Sequence, residues 1–134
     1  GEHLQAPDDF LVVISYNPGY QSVSKSLKES TRQRFVSLGF DYPEAEVEAE
    51  IVAKESGCSA EIADQLVQIA RGTRNLRAHG LAEGASTRIL IYAAQLVVSG
   101  LDLRAACRAT LVGSLTDDPE LSKALDDLLQ STLS

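Results

Sequence analysis

The feature of the sequence that most constrains the fold is a helical hydrophobic period that runs from Pro43 to the end of the chain. Apolar residues recur three and four positions apart in five successive runs, and a residue suited to a helix start precedes each run. The predicted starts are Pro43, Ser59, Ser86 or Thr87, Asp102 and Asp118. Because the connections between the runs are short, the pattern predicts a compact helical bundle over residues 43–134.

Each run also predicts which side of its helix faces the core, because residues three or four apart share a face. Gly57 and Gly100 suit the ends of the first and third helices. The residues predicted to face inward are, helix by helix, Val47 and Ile51; Ile62, Leu66, Ile69 and Thr73; Leu90, Ala93, Ala94 and Val97; Leu103, Ala106, Cys107 and Leu111; and Leu121, Leu125, Leu128 and Leu129.

The first forty residues have a different pattern. Residues 10–14 form a continuous, partly β-branched apolar run, which predicts a strand covered on both faces. A polar turn with Pro18 and Gly19 follows, then a polar helical stretch near residues 23–32, and residues 36–40 predict a second strand. Strand, helix and strand in succession are typical of an α/β fold. The predicted fold class is therefore mainly α, with a helical bundle preceded by a short α/β segment.

Composition excludes several classes of function. The 134 residues carry 12 Lys and Arg against 19 Asp and Glu, a formal net charge of −7, which disfavours binding to nucleic acid or to anionic membranes. No apolar run is long enough to span a bilayer, and no secretory signal is visible, so we expect a cytoplasmic protein. Two cysteines are too few for a disulfide framework, and His3 and His79 lack partners at metal-ligand spacing, so we assign no metal site.

The overall acidity hides two locally basic segments. Residues 25–34 contain four basic residues against one acid, and residues 71–108 contain six arginines against two acids. Guanidinium groups suit phosphate or carboxylate, so these segments indicate an anionic ligand. The alternative is that these arginines are scattered over a solvated surface, where they bind nothing specific.

Three local signals sharpen the hypothesis of an anionic ligand, and each has a structural alternative. Asn17 follows the first predicted strand, where an amide can orient a water or a phosphate oxygen, but Asn-Pro-Gly is also an ordinary turn. Arg32 and Arg34 precede the second strand, where they could neutralise a phosphoryl group or simply lie at a solvated helix end. Arg88 falls in the first turn of a predicted helix, where the helix dipole disfavours a cation unless an anion is near.

Together these signals resemble the MoxR-type AAA+ ATPases, and most closely their CbbQ/NirQ/NorQ branch. The order and spacing of the matching segments are similar to those of the family across nearly the whole chain. The segments that carry the resemblance are residues 11–21 (LVVISYNPGYQ), 30–35 (STRQRF), 40–43 (FDYP), 80–81 (GL), 83–88 (EGASTR) and 115–119 (LTDDP).

The resemblance implies a role for each candidate residue. Asn17 would be the sensor-1 residue, Arg34 the arginine finger offered to the neighbouring subunit, Arg32 an auxiliary basic residue beside it, and Arg88 the sensor-2 arginine of the helical lid. Residues 1–42 would then be the C-terminal part of the AAA+ α/β core, and residues 43–134 the lid.

The departures from the family pattern are equally informative. The sequence has no G-x-x-x-x-G-K-[ST] phosphate loop and no apolar strand that ends in an Asp-Glu pair for magnesium. In the family both lie upstream, so this chain resembles the C-terminal half of such an ATPase. By the resemblance, the full-length protein uses ATP and Mg²⁺, whereas this chain alone should hold neither and should not hydrolyse ATP.

The resemblance also implies partners. The complete protein would act as a ring, commonly a hexamer, that remodels a client enzyme together with a protein carrying a von Willebrand factor A domain. In this branch the clients are Rubisco or nitric oxide reductase, and nothing in these residues distinguishes the two. Two alternatives without an ATPase role remain: a stand-alone helical adaptor, and a module that binds a small anionic metabolite.

A last expectation concerns residues 1–42. In the family's sheet the phosphate-loop strand lies between the two strands predicted here, so the two cannot form their native pairing within this chain. Unpaired buried backbone groups cost about 1–3 kcal/mol each. We therefore expect residues 43–134 to form the bundle while residues 1–42 rearrange, become disordered or pair with another copy. Exchange of strands between two copies is the favoured outcome.

Overall fold

The computed structural model describes residues 4–15 and 28–133. Contacts divide the chain into two compact units, Gly1–Gly39 and Phe40–Ser134. Helices make up most of the described residues of the second unit, which confirms the prediction of a mainly α fold. The predicted boundary between residues 42 and 43 refers to the domains of the family and stays a prediction.

In the described part of the first unit, the regular structure is one helical turn, Glu29–Arg32. The strands predicted at residues 10–14 and 36–40 are absent, and this part of the prediction is wrong for the chain as described. A strand persists only when its backbone groups pair with a neighbouring strand, and neither segment has such a partner among the described residues. Asn17 and the first half of the predicted helix near 23–32 lie outside the described residues.

Helix α1 (Ala45–Ser56) opens the bundle. It begins after Glu44, so Pro43 precedes the N-cap instead of occupying the first helical position. Gly57 ends it in the left-handed region, with φ 76°, as the sequence predicts. The prediction that Val47 and Ile51 face the core is wrong, because both are exposed. The buried residues of α1 are Glu48, Ala49 and Val52.

Helix α2 (Ala60–Asn75) is the longest helix described and the centre of the bundle. The hydroxyl of Ser59 accepts a hydrogen bond from the Ile62 amide at 3.3 Å, so Ser59 caps the helix as predicted. Leu66, Ile69 and Thr73 lie on its buried face, again as predicted. A 3₁₀ helix (Leu76–His79) follows and leads into the loop that precedes the next helix.

Helix α3 (Thr87–Val98) begins after Ser86 and buries Leu90, Ala93 and Ala94. Helix α4 (Leu103–Cys107) is capped by Asp102, whose carboxylate accepts from the Ala105 amide at 3.1 Å. After α4 the backbone continues through a π-helical turn (Arg108–Val112) into a short helical turn (Gly113–Leu115). A π-helical turn carries one extra residue and shifts the side chains that follow it, so it often lies beside a functional surface.

Helix α5 (Pro119–Thr132) closes the bundle against α2. Asp118 accepts from the amides of Glu120 and Leu121, so the Asp-Pro pair is N-cap and first helical residue, as predicted. The core of the unit is one apolar cluster contributed by all five helices. Its largest fully buried apolar side chains are Leu66, Ile69, Leu90, Leu111 and Leu125. Of the helices described, none combines the length and the apolarity needed to cross a bilayer.

Candidate functional site

Arg88 lies in the first turn of α3, where the sequence predicts it. Its side chain is exposed and forms no ion pair or hydrogen bond with any described residue. Ser86 is the N-cap residue, but its hydroxyl accepts no hydrogen bond from the first turn. The start of this 12-residue helix therefore presents a cation together with amides that no side chain caps, an arrangement that a bound anion would stabilise.

An open groove adjoins this helix start. Its volume is about 360 Å³, and the first turns of α3 form one wall while the π-helical turn and the residues after it form the other. Thr110 and Ser114 use their hydroxyl protons on the carbonyl oxygens of Ala106 and Thr110. Their lone pairs remain available to accept. The lining residues are Ser86, Arg88, Ile89, Tyr92, Thr110 and Ser114.

A buried ion pair lies behind the helix start. Arg74 of α2 donates two parallel hydrogen bonds to Glu48 of α1, from Nη1 to Oε2 and from Nη2 to Oε1, each 2.7 Å long. The Glu48 side chain is 0% exposed and that of Arg74 is 11% exposed. Such a bidentate pair fixes both the distance and the relative orientation of the two helices.

The same pair holds the residues that lead into α3. The Thr87 hydroxyl donates to Glu48 Oε1 at 2.7 Å. Arg74 also donates to the Ala85 carbonyl from Nε at 3.0 Å and from Nη2 at 2.9 Å. The Ala85 amide donates to the Thr73 hydroxyl at 2.9 Å. The segment immediately before Arg88 is therefore tied to α1 at Thr87 and to α2 at Ala85.

Tyr42 and Gly84 complete this arrangement. The Arg74 guanidinium lies 3.7 Å from the centroid of the Tyr42 ring, within cation–π distance, and the Tyr42 hydroxyl is 3.4 Å from the Gly84 carbonyl oxygen. A Cβ at position 84 would lie 2.5 Å from Arg74 Cγ and 2.7 Å from its Cα. Only glycine lets the loop approach α2 this closely.

The electrostatics of Glu48 follow from these contacts. Burial alone raises the pKa of its carboxyl group, but the hydrogen bonds from Arg74 and Thr87 and the charge of Arg74 outweigh burial, so the pKa is lower than its ordinary value. Glu48 is thus ionised at neutral pH with its oxygens engaged, which makes it unsuited to proton transfer. Arg74 is equally committed and is not available to a ligand.

The arginines of the basic segment at 71–108 differ in whether they form an ion pair. Arg74 pairs with Glu48, and Arg108 pairs with Asp126, with 3.0 Å between Nε and Oδ1. Arg88 has no ion pair among the described residues, and neither do Arg71, Arg77 and Arg104, but Arg88 lies at an uncapped helix start, where an anion is favoured. Local charge alone did not distinguish these cases.

The other predicted site residues belong to the first unit. Asn17 lies outside the described residues. Arg32 ends the helical turn and Arg34 follows it, and both side chains are exposed without an ion pair to any described residue. Their assigned roles, like that of Arg88, stay predictions. The described residues also contain no group of His, Cys, Asp or Glu that could hold a metal ion.

Sequence reasoning missed Glu48, Arg74 and Thr87. One signal could have revealed Glu48: it is in phase with Ala45, Ala49 and Val52, the face that is buried, and an acid on such a face needs a cationic partner. Choosing Val47 and Ile51 as the inward face of α1 placed Glu48 in solvent, where an acid needs no cationic partner.

Comparison with known proteins agrees with the resemblance. Residues 48–132 match a family model described as CbbQ/NirQ/NorQ C-terminal. The chain is 54% identical to the denitrification regulatory protein NirQ of Pseudomonas aeruginosa over 129 residues, which are 96% of this chain and 50% of that protein. It is also 54% identical to the protein CbbQ of Hydrogenophilus thermoluteolus over 125 residues, 93% of this chain and 47% of the relative.

A third relative is the protein NorQ of Paracoccus denitrificans, 48% identical over 128 residues, 96% of this chain and 47% of that protein. The chain spans about half the length of the curated relatives it matches. The family model covers most of the helical unit, including every residue from Glu48 through Arg74 to Arg88. The chain therefore belongs to the CbbQ/NirQ/NorQ family, and its helical unit corresponds to the C-terminal domain of that family.

Proposed function

We propose that this chain is the C-terminal part of an AAA+ ATPase that uses ATP binding and hydrolysis to activate or remodel a client enzyme. The observation that carries the proposal is Arg88, an unpaired cation in the first turn of α3, beside uncapped amides and an open groove. A γ-phosphate supplies the negative charge that this arrangement lacks. Membership of the family supports the same assignment.

Each candidate residue has a distinct role in this mechanism. Arg88, the sensor-2 arginine, binds the γ-phosphate and links the lid to the nucleotide. Arg34, the arginine finger, completes the site of the neighbouring subunit and neutralises charge as the phosphoryl group is transferred, with Arg32 beside it. Asn17, the sensor-1 residue, orients the attacking water. An arginine directed at the transferred group is typically worth 10³–10⁵ in rate.

The phosphate loop and the acidic residues for magnesium belong to the part of the family's architecture that this sequence does not contain. Since no metal-binding cluster exists among the described residues, we assign no step on this chain to Mg²⁺. The full-length protein would combine both halves in a ring, commonly a hexamer, in the cytoplasm.

The proposed output of the cycle is mechanical. Closure of the lid on ATP and its release after hydrolysis would move one subunit against the next and so remodel a client, with a von Willebrand factor A domain protein as adaptor. The relative from Pseudomonas aeruginosa is named a denitrification regulatory protein, which supports a regulatory role. Rubisco and nitric oxide reductase remain the two client candidates.

The test of this function is the variant Arg88→Ala in the full-length protein. We expect kcat for ATP hydrolysis to fall about 10²-fold, as when one oriented donor to transition-state charge is lost. Arg77→Ala is the matched control, because Arg77 is an exposed arginine of the same basic segment without an ion pair to any described residue. Unchanged turnover in Arg88→Ala, with an unchanged melting temperature, would remove Arg88 from the mechanism.

A second experiment tests whether Arg34 acts in trans. Subunits with Arg34→Ala are mixed with subunits whose phosphate loop is disabled, so that each supplies what the other lacks. We expect neither variant to hydrolyse ATP alone and the mixture to regain activity. No recovery at any mixing ratio, with mixed rings verified by mass, would contradict a shared site.

A further inference from the structure

The residues that enter α3 are held from outside the helix. The side chain of an N-cap serine can fix the first turn of a helix, as Ser59 does in α2, but Ser86 makes no such bond. Instead, the Thr87 hydroxyl donates to Glu48 at 2.7 Å, and the Ala85 carbonyl accepts two hydrogen bonds from Arg74. The start of α3 is therefore oriented by α1 and α2.

We propose that Glu48 is a positioning residue for Arg88 and acts through Thr87. The inference rests on the proposed function of Arg88 and adds to it the part that aims the side chain. Thr87 and Arg88 are consecutive, so their side chains point about 100° apart around the helix. With Thr87 held inward on Glu48, Arg88 is directed outward, toward the groove it lines.

The geometry explains why such a contact matters for catalysis. A rotation of α3 by about 20° would move an atom that lies about 6 Å from the helix axis by about 2 Å. A misplacement of about 1 Å can cost about 10²-fold in rate, because a donor must meet the charge that develops in the transition state. The Thr87–Glu48 hydrogen bond resists this rotation at the residue adjacent to Arg88.

The contacts around Glu48 make it a rigid reference point. Its carboxylate accepts from Arg74 and Thr87, and the Arg74 guanidinium is covered by the Tyr42 ring at 3.7 Å. Every buried polar side-chain atom among the described residues has at least one hydrogen-bond partner, which favours a single arrangement of this network.

The test is a pair of variants at Thr87 in the full-length protein. Thr87→Val keeps the shape of the side chain and removes the hydroxyl, whereas Thr87→Ser keeps the hydroxyl. We expect Thr87→Val to lower kcat about 10-fold or more with little change in KM for ATP, and Thr87→Ser to restore most of kcat. The matched control is Thr132→Val, since the Thr132 hydroxyl donates to the Leu128 carbonyl far along the chain in α5.

A double-mutant cycle separates positioning from a general structural role. If Thr87 acts through Arg88, adding Thr87→Val to Arg88→Ala lowers kcat no further, while the shift in melting temperature caused by Thr87→Val is the same in both backgrounds. If the two losses in kcat multiply, Thr87 acts independently of Arg88 and the inference is wrong.

Two further outcomes distinguish the inference from the function on which it rests. If Arg88→Ala lowers turnover but Thr87→Val does not, the positioning role is wrong and the proposed function stands. If Arg88→Ala leaves turnover unchanged, the assigned role of Arg88 is wrong and the positioning role falls with it.

Discussion

Leu66 in α2 and Val36 in the first unit are both aliphatic, yet Leu66 is 0% exposed and Val36 is 91% exposed. The difference reflects how each unit satisfies its backbone. The helices of the second unit form their hydrogen bonds within each segment, so about 95 residues suffice to bury a shared apolar face. Strands need neighbours for the same purpose, and the apolar run at 10–14 stays exposed among the described residues because it has none.

The polar residues of the two units show the same contrast. Glu48 is buried in the helical unit and its carboxylate is held by Arg74 and Thr87. Glu29, in the helical turn of the first unit, is exposed and has no ion pair with a described residue. The comparison indicates that the stability of this chain comes from the helical unit. Four predictions test it, beginning with the largest expected effect.

Removing the buried carboxylate should have the largest effect. Glu48→Ala leaves the guanidinium of Arg74 without its partner in a site where Arg74 is 11% exposed, so we expect the free energy of unfolding to fall by about 3–5 kcal/mol. Urea unfolding followed by circular dichroism measures it. The control in the first unit is Glu29→Ala, which should leave the urea midpoint unchanged. Equal urea midpoints for Glu48→Ala and Glu29→Ala would contradict the proposed difference in stability between the two units.

Truncating the core tests the apolar half of the comparison. Leu66→Ala should lower the free energy of unfolding by about 2–5 kcal/mol, because it removes buried methyl groups and leaves a cavity. Val36→Ala is the counterpart in the first unit and should not shift the unfolding curve measured in urea. A loss for Val36→Ala as large as that for Leu66→Ala would show that the first unit has a core of its own.

Adding one methyl group probes close approach in each unit. Gly84→Ala places a Cβ 2.5 Å from Arg74 Cγ and 2.7 Å from its Cα, so the loop must shift, at a cost of about 1–3 kcal/mol. A Cβ at Gly39 meets nothing within 4 Å, which makes Gly39→Ala the matched control. Thermal unfolding of both variants measures the difference, and equal melting temperatures would mean that the loop does not lie against α2 as described.

The smallest predicted effect is a dependence on pH. Because the pKa of Glu48 is lowered in the folded chain, its contribution to stability is present above the unfolded pKa of about 4.3 and is lost as pH falls through the folded pKa. We expect the gap in melting temperature between the wild type and Glu48→Gln to be constant near neutral pH and to narrow below about pH 4. If the difference in melting temperature between the wild type and Glu48→Gln instead widened on acidification, it would contradict a lowered pKa of Glu48.

Much of the helical unit could be predicted from the sequence because its signals are local. Ser59, Asp102 and Asp118 cap the helices they precede, since a cap needs only the two or three residues that follow it. Several buried residues of α2 and α3 also follow from their spacing: Leu66, Ile69, Thr73, Leu90, Ala93 and Ala94. The inward face of α1 was the exception, because its small and acidic buried residues are less apolar than the exposed Val47 and Ile51.

The candidate site also combines a feature that the sequence predicts with contacts that it does not predict. The sequence by itself determined that Arg88 lies in the first turn of a helix, because its position depends on neighbours along the chain. Only the tertiary structure decided that Arg74 pairs with Glu48 and that the Thr87 hydroxyl donates to the same carboxylate. It also decided that Arg88 has no ion pair among the described residues. Glu48 and Arg74 are separated by 26 positions in the sequence, and Glu48 and Thr87 by 39 positions. The hydrophobic period of one helix carries no information about which charged side chain of another helix will face it.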